Sequence, residues 1–124
     1  MRRIIIGTCA AVALAFMSGA AAAAGISRVI IVQPSDLTAY LHELDTLRGQ
    51  LKKAGVVVTL RVWRARFAAA ETGTVVVTED LADLATLAKV DDLLKSNADM
   101  AATMARIAKL RKITSDSLYE IRLP

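Results

Sequence analysis

Apolar and polar residues alternate along this chain with two different periods, and the switches between them outline the fold. After an apolar stretch that carries no charge from Ile4 onward, Ser27 to Gln33 is short, β-branched and closed by Pro34, which predicts a strand. From Leu37 the period lengthens. Leu37, Tyr40, Leu41, Leu44, Leu47 and Leu51 recur three and four apart and form one stripe of a helix. Ser35 or Asp36 caps its start; Lys52 and Lys53 suit the negative end of its dipole, and Gly55 suits the position just past it. Val56 to Phe67 and Gly73 to Thr78 are β-rich runs around a loop at Ala68 to Thr72, a hairpin. Thr78 or Asp80 is expected to cap a second helix, with Leu81, Leu84, Leu87 and Ala88 inward and a break near Ser96-Asn97. A third helix turns Met100, Met104, Ile107 and Ala108 inward. Ser115 to Leu123 alternates again, with Leu118 and Glu120 on one side and Tyr119 and Ile121 on the other, a last strand.

Strand, helix, strand, strand, helix, helix, strand is a split βαβ order with the second helix doubled. Right-handed crossovers turn it into an α+β, ferredoxin-like domain: a four-stranded antiparallel sheet with all helices on one face. The other face is then bare. In the second strand Val58, Leu60 and Val62 suit the helix side, which sends Thr59, Arg61, Trp63, Ala65 and Phe67 to the bare side. Large apolar groups there point to a partner surface or a ligand cavity, and a second copy related by a twofold axis is the simplest cover.

Composition changes the picture mainly through the N-terminus. Arg2 and Arg3, the uncharged run Ile4 to Met17 and the small residues ending at Ala24 have the three parts of a secretory signal peptide. Cleavage after Ala24 is expected, leaving residues 25–124 as one exported domain, periplasmic or secreted, with no membrane attachment. Loss of two arginines leaves 14 Lys and Arg against 12 Asp and Glu, a net charge of +2 rather than +4. So weak a charge, with few aromatics, argues against a nucleic-acid partner. The only cysteine, Cys9, leaves with the signal, so no disulfide holds the domain.

The segments Leu60 to Ala68, Thr72 to Val77 and Ser115 to Ile121, in this order of elements, resemble the dimeric α+β barrel superfamily, in the branches of NIPSNAP-type proteins and antibiotic-biosynthesis monooxygenases. The resemblance covers nearly all of residues 26–123 and rests on structural rather than catalytic motifs. It implies a ferredoxin-like protomer whose sheet pairs with that of a second copy. Some members oxidise aromatic substrates without a cofactor; others degrade haem, using an Asn on the first strand, a Trp at the end of the third and a His on the following helix. Here Arg28 to Gln33, Val75 to Glu79 and Asp80 to Lys95 contain no Asn, Trp or His respectively, so haem chemistry of that kind is not expected.

No GxSxG, P-loop or dinucleotide fingerprint is present. His42, the only histidine, falls about 160° from the centre of its helix's apolar stripe and is expected in solvent. Without Cys or a second His, no ordinary zinc or copper site can be built, and no metal or cofactor is expected. Glu79-Asp80 and Asp91-Asp92 read as capping or surface charge, and Arg106, Lys109, Arg111 and Lys112 as a basic helix end. The candidate ligand-binding residues are therefore Arg61, Trp63, Phe67 and Tyr119, with no catalytic residue identified. The functional expectation is a homodimeric module that binds a small ligand or serves as a structural element. The alternative is a cofactor-independent monooxygenase-like enzyme acting on a small aromatic substrate.

Overall fold

The computed structural model describes residues 25–66, 70 and 72–124. Residues 1–24, where a signal peptide is expected, and Phe67 lie outside these residues. The elements run β1 (Gly25–Pro34), α1 (Leu37–Lys53), β2 (Thr59–Arg64), β3 (Val75–Leu81), α2 (Leu84–Ser96), α3 (Ala98–Lys109) and β4 (Arg111–Ile121). All pairings are antiparallel and the sheet order is β2-β3-β1-β4, the ferredoxin-like arrangement expected from the element order.

Helix α1 forms as its periodicity dictates. Asp36 caps it, accepting from the Ala39 amide at 3.0 Å, and Tyr40, Leu44, Leu47 and Leu51 are buried. It ends at Gly55, whose φ of +74° only glycine adopts easily. These side chains meet Ile26, Ile30 and Val32 of β1, Val75, Val77 and Leu81 of β3, Val90 of α2, and Met100 and Ile107 of α3 in one core on the helix side of the sheet. His42 lies exposed on the outer face of α1, as its phase requires.

Several boundaries differ from expectation, each for a physical reason. Strand β3 runs on through Thr78, Glu79 and Asp80 to Leu81, because these residues pair with β1 and β2; the cap of α2 is Asp83, which accepts from the Thr86 amide at 2.7 Å. In α2 Val90 is the buried residue and Leu87 packs against the core partly buried, while Leu84 and Ala88 are exposed. The break at Asn97 is where the sequence places it, with the Asn97 side chain capping α3. Ala108 of α3 is exposed, and Thr103 takes an inward position instead. Strand β2 is shorter than the β-branched run, beginning only at Thr59.

Strand β4 begins at Arg111, directly after α3, rather than at Ser115. A register shift opposite Ile31 and Val32 inserts one residue there, with the Thr114 hydroxyl donating to the Ile31 carbonyl at 3.2 Å. The insertion interrupts the alternation and hides residues 111–114 from a period-two reading. Arg111 is thereby not part of a solvated helix end: it sits half-buried on β4 and donates to the Tyr40 hydroxyl at 3.3 Å.

Candidate functional site

Register alone decides which side chains share the uncovered face, because partners across antiparallel strands point the same way. Three rows cross it: Thr59, Asp80, Ser27 and Tyr119; then Arg61, Thr78, Val29 and Ser117; then Trp63, Val76, Ile31 and Ser115. The helices cover the opposite set, including Leu60, Val77, Ile30 and Ile26. The alternation in β2 is thus as expected: Arg61 and Trp63 face away from the helices. Val62 does turn to the helix side, but it stays partly exposed because β2 is an edge strand that α1 does not fully cover.

Two diagonal contacts organise the β2–β3 end of this face. The Trp63 indole N–H donates to the Thr78 hydroxyl at 3.1 Å, fixing a ring that is still 53 % exposed. The Arg61 guanidinium lies 3.4 Å from the Asp80 carboxylate. Together they put an aromatic plane, a cation, a carboxylate and a hydroxyl on neighbouring positions of two strands. Tyr119, also half-exposed, is on the same face but on the opposite edge. Three strand spacings, about 14 Å, separate it from β2. The protomer therefore brings Arg61 and Trp63 together and leaves Tyr119 apart.

Asp80 and Thr78 are the site residues that sequence reasoning missed, having been assigned to a helix cap. The available signal was Leu81: it continues the apolar parity of Val75 and Val77, which carries the strand past Thr78 and sends Asp80 to the side of Arg61.

A second polar cluster lies under the helices. Arg28 breaks the apolar parity of Ile26, Ile30 and Val32, and its guanidinium binds the Asp116 carboxylate through two hydrogen bonds of 3.0 and 2.8 Å, with Asp91 of α2 3.5 Å away. This pairing raises the Arg28 pKa above its usual value and lowers that of Asp116. Glu79, level with Arg28 in the register, is held above the usual carboxylate range by burial, against the opposing field of Arg28. The space beside it is only about 40 Å³, far below the few hundred Å³ of a typical small-molecule site. Among the described residues no group of three or more His, Cys, Asp or Glu side chains converges as a metal site, and no helix is long and apolar enough to cross a membrane.

No protein-family model and no curated protein matches this chain. Solved structures do. The chain is similar to a variant of SnoaB, a cofactor-independent oxygenase from Streptomyces nogalater, at 10 % identity and a TM-score of 0.64, over 82 % of this chain and 97 % of that one. A conserved protein from Methanosarcina mazei Go1 aligns at 12 % identity and a TM-score of 0.57, over 81 % and 96 %. A dimeric ferredoxin-like protein from an uncultured marine organism aligns at 12 % identity and a TM-score of 0.52, over 80 % and 96 %. The chain has the ferredoxin-like fold of these structures, with a four-stranded antiparallel sheet and three helices among the described residues.

Proposed function

We propose that two copies of this protein pack bare face to bare face about a twofold axis and enclose a site for a small aromatic molecule bearing an acidic group. The observation that carries this reading is the composition of the uncovered face. Dry interface cores are apolar and poor in charge. Of the three rows here, the middle one is Arg61, Thr78, Val29 and Ser117, and Ser27, Ser115 and Asp80 add further polar groups. Closed against a second copy, such a surface leaves a polar-lined interior with Trp63 as its aromatic wall, which is the make-up of a small-ligand pocket. Trp63 offers a ring face for stacking, Arg61 a charge for an acidic substituent, and Thr78 and Ser117 hydroxyls to orient it. Because Arg61 already faces Asp80, the surface carries no positive stripe, in keeping with a small ligand rather than nucleic acid.

A second reading, cofactor-independent oxygenation, draws support from Asp80 and from the likeness in fold to SnoaB. Asp80 would take the proton of an acidic O–H or C–H of the bound aromatic, and Arg61 would hold the resulting anion while molecular oxygen serves as oxidant. Export is part of the same proposal. Gly25 is the residue expected to follow the cleavage.

Trp63 is the only tryptophan in the chain, which makes its fluorescence a direct probe. Titration of the protein lacking residues 1–24 with a panel of planar phenolic acids is expected to give saturable quenching that Arg61→Ala abolishes. No saturable response to any member of the panel, or quenching indifferent to Arg61, would overturn the ligand site. Oxygen uptake with the same panel, lost in Asp80→Asn, distinguishes the oxygenase from the binding module.

A further inference from the structure

The uncovered face carries a polarity gradient that runs along the strands. Its first row, Thr59, Asp80, Ser27 and Tyr119, is polar; its third is mostly apolar, with Trp63, Val76 and Ile31 closed by Ser115. The two large exposed rings sit at opposite corners, Trp63 on β2 in the third row and Tyr119 on β4 in the first. If the strands of two packed sheets stay aligned, a twofold axis between the faces has two possible directions. An axis across the strands, pivoting on the middle row, lays the polar first row on the apolar third. Asp80 then meets Val76 of the partner subunit, and Arg61 meets Arg61 of the partner subunit, like charge on like. An axis along the strands keeps each row on its own copy and exchanges the edges. Val76 then meets Ile31 of the partner subunit, Asp80 meets Ser27 of the partner subunit, and Arg61 meets Ser117 of the partner subunit. Apolar lies on apolar, and no charge lies opposite a like one.

We propose that the axis runs along the strands, so that each Arg61–Trp63 site is completed by Tyr119 of the partner subunit; this rests on the face-to-face association proposed above. The partner's β4 then crosses β2 and sets Tyr119 of the partner subunit above Thr59, beside the Arg61–Asp80 pair. A rotation of about 30° between the sheets moves a corner by about 5 Å, less than the roughly 7 Å between rows, so the neighbourhood survives. Sheets stack about 10 Å apart, a gap that a tyrosine side chain largely spans. The corners that receive the two rings hold the small residues Thr59 and Ser115. The chemistry is complementary as well: an ionised Asp80 only accepts, and a phenol O–H donates. Trp63 and the partner's Tyr119 then stand two rows apart, about 7 Å along the strand, on either side of Arg61. That spacing admits one planar ring between two aromatic walls, with the guanidinium at its edge. The ligand class narrows to a flat aromatic acid. The dimer holds two such sites, and neither protomer holds one alone.

Residues 25–124 contain no cysteine, so single-cysteine variants of the protein lacking residues 1–24 locate the axis. Arg61→Cys and Ser117→Cys, mixed and allowed to exchange subunits, are expected to cross-link through a short bis-maleimide, and each alone is expected not to. Self-cross-linking of Arg61→Cys would overturn the proposal while leaving the face-to-face association standing. A dimer without the mixed cross-link would also overturn it, and a monomer by sedimentation would overturn both. Binding tests the tyrosine itself. Arg61→Ala and Tyr119→Ala should each lose the quenching of Trp63 by planar phenolic acids. In an equal mixture half the dimers are mixed and each of these has one intact site, so about a quarter of the wild-type amplitude should return. Wild-type affinity in Tyr119→Ala, or no recovery in a mixture that sediments as a dimer, would overturn the proposal.

Discussion

Replacing Trp63 by alanine is expected to break the association of two copies while leaving each protomer folded. The ring is 53 % exposed in the single chain. A tryptophan contributes up to about 250 Å², so roughly 130 Å² remains to be covered by a partner. At about 25 cal/mol per Å² this is about 3 kcal/mol for each copy and about 6 kcal/mol for a symmetric dimer. Part of that is recovered when the truncated surfaces settle, so a loss of about 3–6 kcal/mol is expected, the scale of one or two interface hot spots. The dissociation constant should then rise by about 10²–10⁴. The half of the ring already buried, with the bond to Thr78, supports the protomer, so the thermal midpoint should fall by several degrees with the far-ultraviolet circular dichroism intact. Sedimentation equilibrium of wild type and Trp63→Ala over a wide concentration range measures both constants. Equal dissociation constants would refute the reasoning, because Trp63 would then face solvent in the assembled protein.

Two further substitutions test the protomer. Asp116→Asn should destabilise by about 1 kcal/mol at pH 7, a charge-assisted pair discounted for the partial exposure of both partners. Because Arg28 lowers the Asp116 pKa in the folded state, this stabilisation is complete above the ordinary Asp value of about 3.9 and is lost as pH falls through the lower folded value. The gap between wild type and variant in urea midpoints should therefore close in acid, and a gap that persists unchanged at the lowest pH would contradict the assignment. Gly25→Ala should cost about 1–3 kcal/mol in chemical denaturation, since an added Cβ would sit 2.6 Å from the Leu81 carbonyl oxygen; an unaffected midpoint would show that β1 and β3 separate there at no cost.

The parts of this fold that were legible in the sequence are those where one period runs uninterrupted. The stripe from Tyr40 to Leu51 located α1, Asn97 marked the break between α2 and α3, and the alternation of Leu60, Arg61, Val62 and Trp63 assigned the two faces of β2. Legibility failed where polar side chains occupy strand positions. Thr78, Glu79 and Asp80 look like a helix start by residue type, and only pairing with β1 and β2 keeps them extended. That one boundary hid Asp80 from the candidate site and Glu79 from the buried cluster. The inserted residue in β4 likewise displaced Arg111 from a buried strand position to a supposed basic tail. Arg28 was detectable in principle as a charge within an apolar parity, but its partners Asp91 and Asp116 lie 63 and 88 positions away and follow only from the sheet order. Tyr119 was correctly grouped with Ile121 on one side of its strand, yet its separation from Trp63 depends on β2 and β4 being opposite edges.

The pairing of two bare sheet faces is the claim on which the ligand site rests. Sedimentation velocity of the protein lacking residues 1–24, read together with Trp63 emission, tests it most directly. The account predicts a dimer at micromolar concentration whose emission is blue-shifted and shifts to the red on dilution as the indole is uncovered. A species that stays monomeric at the highest concentration, with emission typical of a solvent-exposed indole throughout, would contradict it.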